Sequence, residues 1–230
     1  MTGRVSHGPS MDYIIYGHPG VHGGVYTHMR STIEDQKVHS KKMNTTTWQI
    51  KDAQISARGA KTCTLTKAKD ERVFMSLGSR ENAVRTPFGA KTFNDESATR
   101  KTIEFTLSPE QHKQFQDFDE WAIEYLSKNS ERLLKKPMNQ EQIKQLYKSP
   151  VTQKGDFPPH LRCKINVSGN AICRAWDIDG NRTELPQDLK HCDLVPRIHI
   201  SHLWIMSKEI GFVLNVIDLM CKTHPELCPF

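Results

Sequence analysis

Residues 194–221 form the longest apolar-rich segment of the chain, and Ser207-Lys208-Glu209 and Gly211 interrupt it at its centre. Two strands joined by a turn produce that pattern. Ile198, Ile200, Trp204 and Ile205 before the interruption, and Phe212, Val213, Val216 and Ile217 after it, favour a pleated, half-buried surface. Gly211 supplies backbone freedom beside the turn. The expectation is a terminal β-hairpin closing a small β domain. The interruption also leaves the segment short of the roughly 18 apolar residues in a row that a membrane-spanning helix needs, so no membrane partner is expected.

The rest of the chain falls into blocks. Residues 1–44 hold five of the eleven histidines and six of the thirteen glycines without a sustained apolar period, and read as a disordered or loosely attached segment. Without a framework to fix them, His18, His22 and His28 are not a metal site, and Met43 is expected to begin the structured sequence. From Thr45 to Leu77, three short β patterns (45–56, 62–66 and 72–77) separated by basic turns predict a meander. Residues 101–107 alternate, with Ile103, Phe105 and Leu107 on one face. Ser108-Pro109 then starts a helix over 109–130, whose Phe115, Phe118, Trp121, Ala122, Tyr125 and Leu126 make a core stripe. A second short helix opens at Asn139, carries Ile143, Leu146 and Tyr147, and is stopped by Pro150. Two more strands follow, 161–167 and 171–178, then the turn Asp179-Gly180-Asn181 and a short polar crossover from Leu185 to Leu194.

That order predicts a mainly β fold with a helical insertion at about 109–149: an OB-fold-like five-stranded Greek-key barrel over 45–222, closed by the C-terminal hairpin, with 223–230 as a tail.

Charge and motifs narrow the function. The net charge is +6, and the excess is local: residues 51–101 carry eleven Lys/Arg against six Asp/Glu, while 108–150 hold seven of each and 155–222 eight of each. Phosphate-loop, nucleophile-elbow and zinc-protease motifs are missing and the acidic residues are dispersed among turns, so no catalysis and no cofactor are expected. Six widely spread cysteines with no secretory leader read as reduced thiols in an intracellular protein. His191, Cys192, Cys221, His224 and Cys228 lack the paired spacing of structural zinc, so no metal is expected.

What remains is a set of cations interleaved with aromatics: Lys61, Lys67, Lys69, Arg72, Phe74, Arg80, Arg85, Phe88, Lys91, Phe93, Arg100 and Lys101, then Arg162, Lys164, Arg174 and Trp176. Single-stranded nucleic acid is held by such a combination, cations tracking phosphates while aromatic faces stack bases. A solvated polar face over a core of buried aromatics has the same composition, and both readings stand on spacing alone.

Several stretches carry a resemblance: Arg85-Thr86-Pro87-Phe88-Gly89 followed by Phe93, the helix near Trp121, Lys148-Ser149-Pro150, the stretch from Pro158 to Ile165, and above all Leu203-Trp204-Ile205-Met206-Ser207-Lys208-Glu209-Ile210-Gly211-Phe212. Together, over about residues 45–221, the chain resembles the single-stranded-DNA-binding proteins of large double-stranded DNA viruses. More distantly it is similar to a phage type whose OB-fold also carries an inserted helix. The resemblance implies sequence-tolerant binding of single-stranded DNA in viral replication, recombination or repair, at the nucleus or a viral factory, with no catalysis. Trp204 becomes a stacking candidate, and the phosphate-binding load is assigned to the basic block 51–101. Replication proteins and a second copy of the chain are open as further partners, and an RNA-binding module or a non-catalytic assembly protein are the alternatives.

Overall fold

The structure, a computed structural model, describes residues 43–55, 59–92, 95 and 97–223. The expectations for the N-terminal 42 residues and the tail beyond 223, and the assignment of Phe93, lie outside the described residues.

The terminal hairpin is the axis of the fold. Strands β12 (Cys192–Ile205) and β13 (Ile210–Thr223) are 14 residues each and pair antiparallel from Ile205↔Ile210 to Cys192↔Thr223. Met206 N–H closes the turn on the Glu209 carbonyl. The register shifts twice, between Arg197 and Ile198 and between Ile200 and His202. The extra residues are Ile217 on β13 and Ser201 on β12, each facing no partner of its own across the ladder, as in a β-bulge. β12 begins at Cys192, so the last residues of the expected crossover belong to the strand.

The other strands line up on this hairpin. The main sheet runs β1 (Gln49–Ile50), β3 (Lys61–Thr66), β12, β13, β9 (His160–Asn166), β6 (Arg100–Thr106) and β5 (Ala90–Lys91), with β2 (Gln54–Ile55) also on β3. The expected single strand over 45–56 is therefore split. Both halves pair with β3, and between them Lys51 N–H reaches the Thr64 carbonyl. The first leg of the expected meander is formed, by β1 and β2 against β3, but β3 and β4 are joined to each other by the Thr66↔Arg72 bridge rather than by a ladder. β3 pairs with residues 202–205 of β12 and β4 (Val73–Ser76) with residues 197–200, so the two lie end to end along one long strand. Each is short, and β12 offers more paired backbone than either could offer the other. β10 (Arg174–Trp176), shorter than the expected 171–178, runs parallel to β13 and pairs with β11 (Arg182–Thr183). The sheet is thus larger and more branched than a five-stranded barrel.

The inserted helices cover the end of this sheet. α1 (Pro109–Lys128) starts on a capping box in which Ser108 Oγ accepts from Gln111 N–H and Gln111 returns a bond to Ser108 N–H. Phe115, Phe118, Ala122 and Leu126 are fully buried, as the stripe predicted. Phe118 meets Phe212 of β13 at 5.1 Å and Trp121 at 5.8 Å, and Trp48 meets Trp121 at 5.4 Å. Such pairs contribute about 0.5–1.5 kcal/mol each beyond the burial of their area. After α2 (Ser130–Leu134), α3 (Gln140–Leu146) ends before Tyr147, which opens β7 (Tyr147–Lys148) instead of extending the helix. The side chains on this stretch are tied to α1: Tyr147 Oη donates to Asp119 Oδ1 at 2.7 Å and Ser149 Oγ donates to Oδ2 at 2.6 Å. Burial pushes the Asp119 carboxyl up in spite of these bonds, and pushes the Tyr147 phenol well above its usual range. β8 (Val151–Thr152) then leads into β9.

Candidate nucleic-acid interface

Alternation along β6 and β9 buries Ile103, Phe105, Leu161, Cys163 and Ile165 and turns Arg100, Thr102, Glu104, Arg162, Lys164 and Asn166 to the other face. Cross-strand register then aligns a row on that face. Lys91 lies beside Thr102, Thr102 beside Lys164, Lys164 beside Asn215, Asn215 beside His199, and His199 beside Phe74. The row crosses β5, β6, β9, β13, β12 and β4, five interstrand steps of about 4.8 Å, or roughly 24 Å.

The central part of the row is a groove of about 470 Å³ whose charged side chains are Arg72, Arg100, Lys164 and Arg174, with His199 and Asn215 beside them. Among the described residues, no carboxylate lines it. Lys164 Nζ donates to Thr102 Oγ1 at 2.8 Å, and Arg100 Nη2 donates to Asn215 Oδ1 at 2.7 Å, so two cations are held by neutral groups. The field is positive enough to be felt by its own members. Burial, then the Arg162 and Arg100 guanidiniums, lower the Lys164 ammonium below its ordinary value. Burial, Arg72 and His202 lower His199, and burial and Arg100 lower His202.

One carboxylate organises the rim. Asp218, whose side chain is 12% exposed, takes Arg174 Nε at 2.6 Å and Nη2 at 2.7 Å, the Trp176 indole N–H at 3.1 Å and Arg197 Nη1 at 3.4 Å. Burial raises its pKa, but the bonds from Arg174 and Trp176 and the charges of Arg174 and Arg197 outweigh that and leave it below the usual value.

A second cavity of about 260 Å³ continues from Thr102 toward β5, lined by Phe88, Gly89, Lys91, Thr92, Glu104 and Arg162. Phe88 is 42% exposed, with Lys91 Nζ 4.2 Å from its ring centroid. Arg162 Nε stands 4.0 Å from Glu104 Oε1, beyond hydrogen-bond reach.

Of the residues singled out in the sequence, Arg72, Phe74, Arg100, Lys164 and Arg174 meet along the row and its central groove, and Phe88, Lys91 and Arg162 in the second cavity. The others are placed elsewhere. Lys61 Nζ donates to the Leu133 carbonyl at 2.8 Å. Lys67 and Lys69 belong to the 3-10 turn around Ala68–Asp70, Arg80 stands near the Gly180 turn, and Arg85 pairs with Asp193 at 3.1 Å. Lys101 sits opposite Ile165 on the face of Ile103, away from Arg100.

The aromatics are mostly engaged. Phe74 is half-buried, with Arg197 4.4 Å above its ring and His199 at 5.1 Å. Trp176 is tied to Asp218 and has Arg182 5.5 Å from its ring. The Trp204 indole lies on Gly211, where a Cβ would come within 2.8 Å of Cζ2. Among the described residues of that aromatic set, Phe88 is the exposed ring. Arg197, His199 and Asn215 were missed, because the hairpin was assigned to closing the fold; their alternation with buried Ile198, Ile200, Leu214 and Val216 was the available signal.

These features define a β protein with a cation-lined groove across a sheet face and an exposed aromatic, Phe88, in the cavity next to it. No family model matches the chain, and no curated protein does. Among solved structures it is similar to gp2.5, a single-stranded-DNA-binding protein encoded by bacteriophage T7, at 12% identity and a TM-score of 0.47, over 69% of this chain and 91% of that one. It is also similar to the single-stranded-DNA-binding protein of bacteriophage Enc34 in complex with single-stranded DNA, at 12% identity and a TM-score of 0.40, over 77% and 94%. These neighbours are phage proteins, not proteins of large double-stranded DNA viruses.

Proposed function

We propose that the protein binds single-stranded DNA with little dependence on base sequence, along the row from Lys91 to Phe74. The observation that carries this reading is the groove in which Arg72, Arg100, Lys164 and Arg174 converge with no carboxylate among the described lining residues. Cations so placed neutralise phosphates and release counterions, which yields affinity without reading bases. At about 3.4 Å per stacked nucleotide, a path of roughly 24 Å takes up to about seven nucleotides, and fewer if the strand is stretched. Phe88 favours single strands over duplex, because a ring at the edge of a groove meets a base face only where that base is unpaired.

The role that follows is to hold and protect unpaired strands, and so to melt their hairpins, during DNA replication, recombination or repair inside a cell, by binding alone with no catalytic step and no cofactor. The test is a titration of one labelled 20-nucleotide sequence as single-stranded DNA, as RNA and as duplex, at two salt concentrations. Single-stranded DNA is expected to bind tightest and to weaken steeply with salt. Equal affinity for duplex overturns the reading, and equal affinity for RNA widens it to single strands of either sugar.

A further inference from the structure

Resting on that reading, the second cavity breaks the sequence tolerance of the rest of the groove. We propose that it is a subsite for one unpaired base, that Phe88 stacks on the base, and that Glu104 selects cytosine over thymine by accepting from its exocyclic amine. Three observations converge. The cavity holds about 260 Å³, below the roughly 300–1,000 Å³ of sites for larger ligands and suited to a single small heterocycle. Its wall carries an exposed aromatic ring. It also contains Glu104, a carboxylate on a face where the neighbouring charges are cationic, with Arg162 at 4.0 Å rather than in a hydrogen-bonded pair.

A carboxylate beside a polyanion's path lowers affinity for phosphate, so its presence is best matched by a base-edge donor. Cytosine offers its N4 amine to such an acceptor, whereas thymine presents a carbonyl oxygen at the corresponding position, and its ring N3–H lies between two carbonyl oxygens that a carboxylate must approach, so thymine is the poorer partner. Lys91, 4.2 Å above the ring of Phe88, can leave the ring for the incoming phosphate and free that face for the base. Gly89, at φ +63°, holds the turn on which Phe88 is presented.

The experiment compares binding of 12-nucleotide oligo(dC) and oligo(dT) to the full chain at neutral pH and fixed salt. Oligo(dC) is expected to bind tighter by about three- to tenfold, the effect of one good base-edge contact. Glu104→Val should bring the two affinities together, chiefly by strengthening oligo(dT) binding, and Phe88→Ala should weaken both. Glu104→Thr, also compatible with a strand, gives the same reading where the valine variant folds poorly. Equal wild-type affinities, or a ratio unchanged in the Glu104 variants, overturn the subsite while leaving single-strand binding intact. Failure of both oligonucleotides to bind removes both readings.

Discussion

Lys164 and Thr102 face each other across the β6–β9 pair, and the ammonium donates to the hydroxyl at 2.8 Å while burial and two arginines hold its pKa down. A cation in that position is held by a neutral oxygen against like charges, and a phosphate oxygen satisfies it better than a hydroxyl does. Lys164→Gln and Arg100→Gln should each weaken binding of single-stranded DNA and reduce the slope of log affinity against log salt by about 0.7, one phosphate contact on a single strand. Lys61→Gln, whose lysine is engaged with the Leu133 carbonyl, should leave the slope unchanged. Fluorescence anisotropy at several salt concentrations measures all three.

His199 and His202 both have depressed pKa values, through burial first and then the Arg72, His202 and Arg100 charges around them. A base that is harder to protonate when folded leaves the unfolded chain binding more protons, so the stability it contributes is full above the ordinary value of 6.5 and declines as pH falls through it. Bound phosphates act oppositely and raise both values, so binding takes up protons. Affinity should therefore rise as pH is lowered from about 8 to about 6 at constant salt, and His199→Gln should flatten the profile. A wild-type profile that is already flat would place the strand elsewhere.

Asp218 collects Arg174, Arg197 and Trp176, and its removal leaves two guanidiniums side by side. Because both arginines are about half exposed, solvent screens much of that repulsion. Asp218→Asn is expected to cost about 1–2 kcal/mol, read as a lower urea midpoint. Asp218 titrates below its ordinary value of 3.8, so its share of stability is present above that value and lost as pH falls through the lower, folded one.

Gly211 lies beneath Trp204, and a Cβ there would stand 2.8 Å from Cζ2, 3.0 Å from Cε2 and 3.1 Å from the Lys148 carbonyl oxygen. The backbone oxygen cannot yield as a side-chain tip can. Gly211→Ala should destabilise by about 1–3 kcal/mol, with a change in tryptophan emission as the indole shifts. Full retention of stability and emission would show that the hairpin relaxes around the new methyl group.

How much of this could be read from residues alone depended on how local the cause was. The helix start at Ser108-Pro109 and the faces of β6 and β9 are set within a few residues, and both were legible. Lys101 was legible too: it shares the parity of Ile103 and Phe105, and counting by two would have removed it from the cation set. The placement of β3 and β4 was not, because their partner is β12, more than a hundred residues downstream. Nor was the engagement of Phe74 by Arg197, which depends on register across two strands. On the hairpin itself the period is broken. His199 and His202, and likewise Asn215 and Asp218, are three apart, and the register shifts between them interrupt the two-residue count.

Those two shifts also bear on how the molecule can change over generations. Ser201 and Ile217 each stand as the second of two residues opposite one. Losing either converts a two-to-one match into one-to-one, leaving the remaining pairs and their outward faces as they were, whereas a loss elsewhere in β12 or β13 turns the rest of the strand over. What such a loss removes is the local bend and added twist that a bulge imparts. A loss of Ser201 would therefore change the twist of the sheet beneath the groove while leaving its lining residues in place, whereas a loss of Ile217 would also take away part of the apolar floor, because Ile217 itself lines the groove.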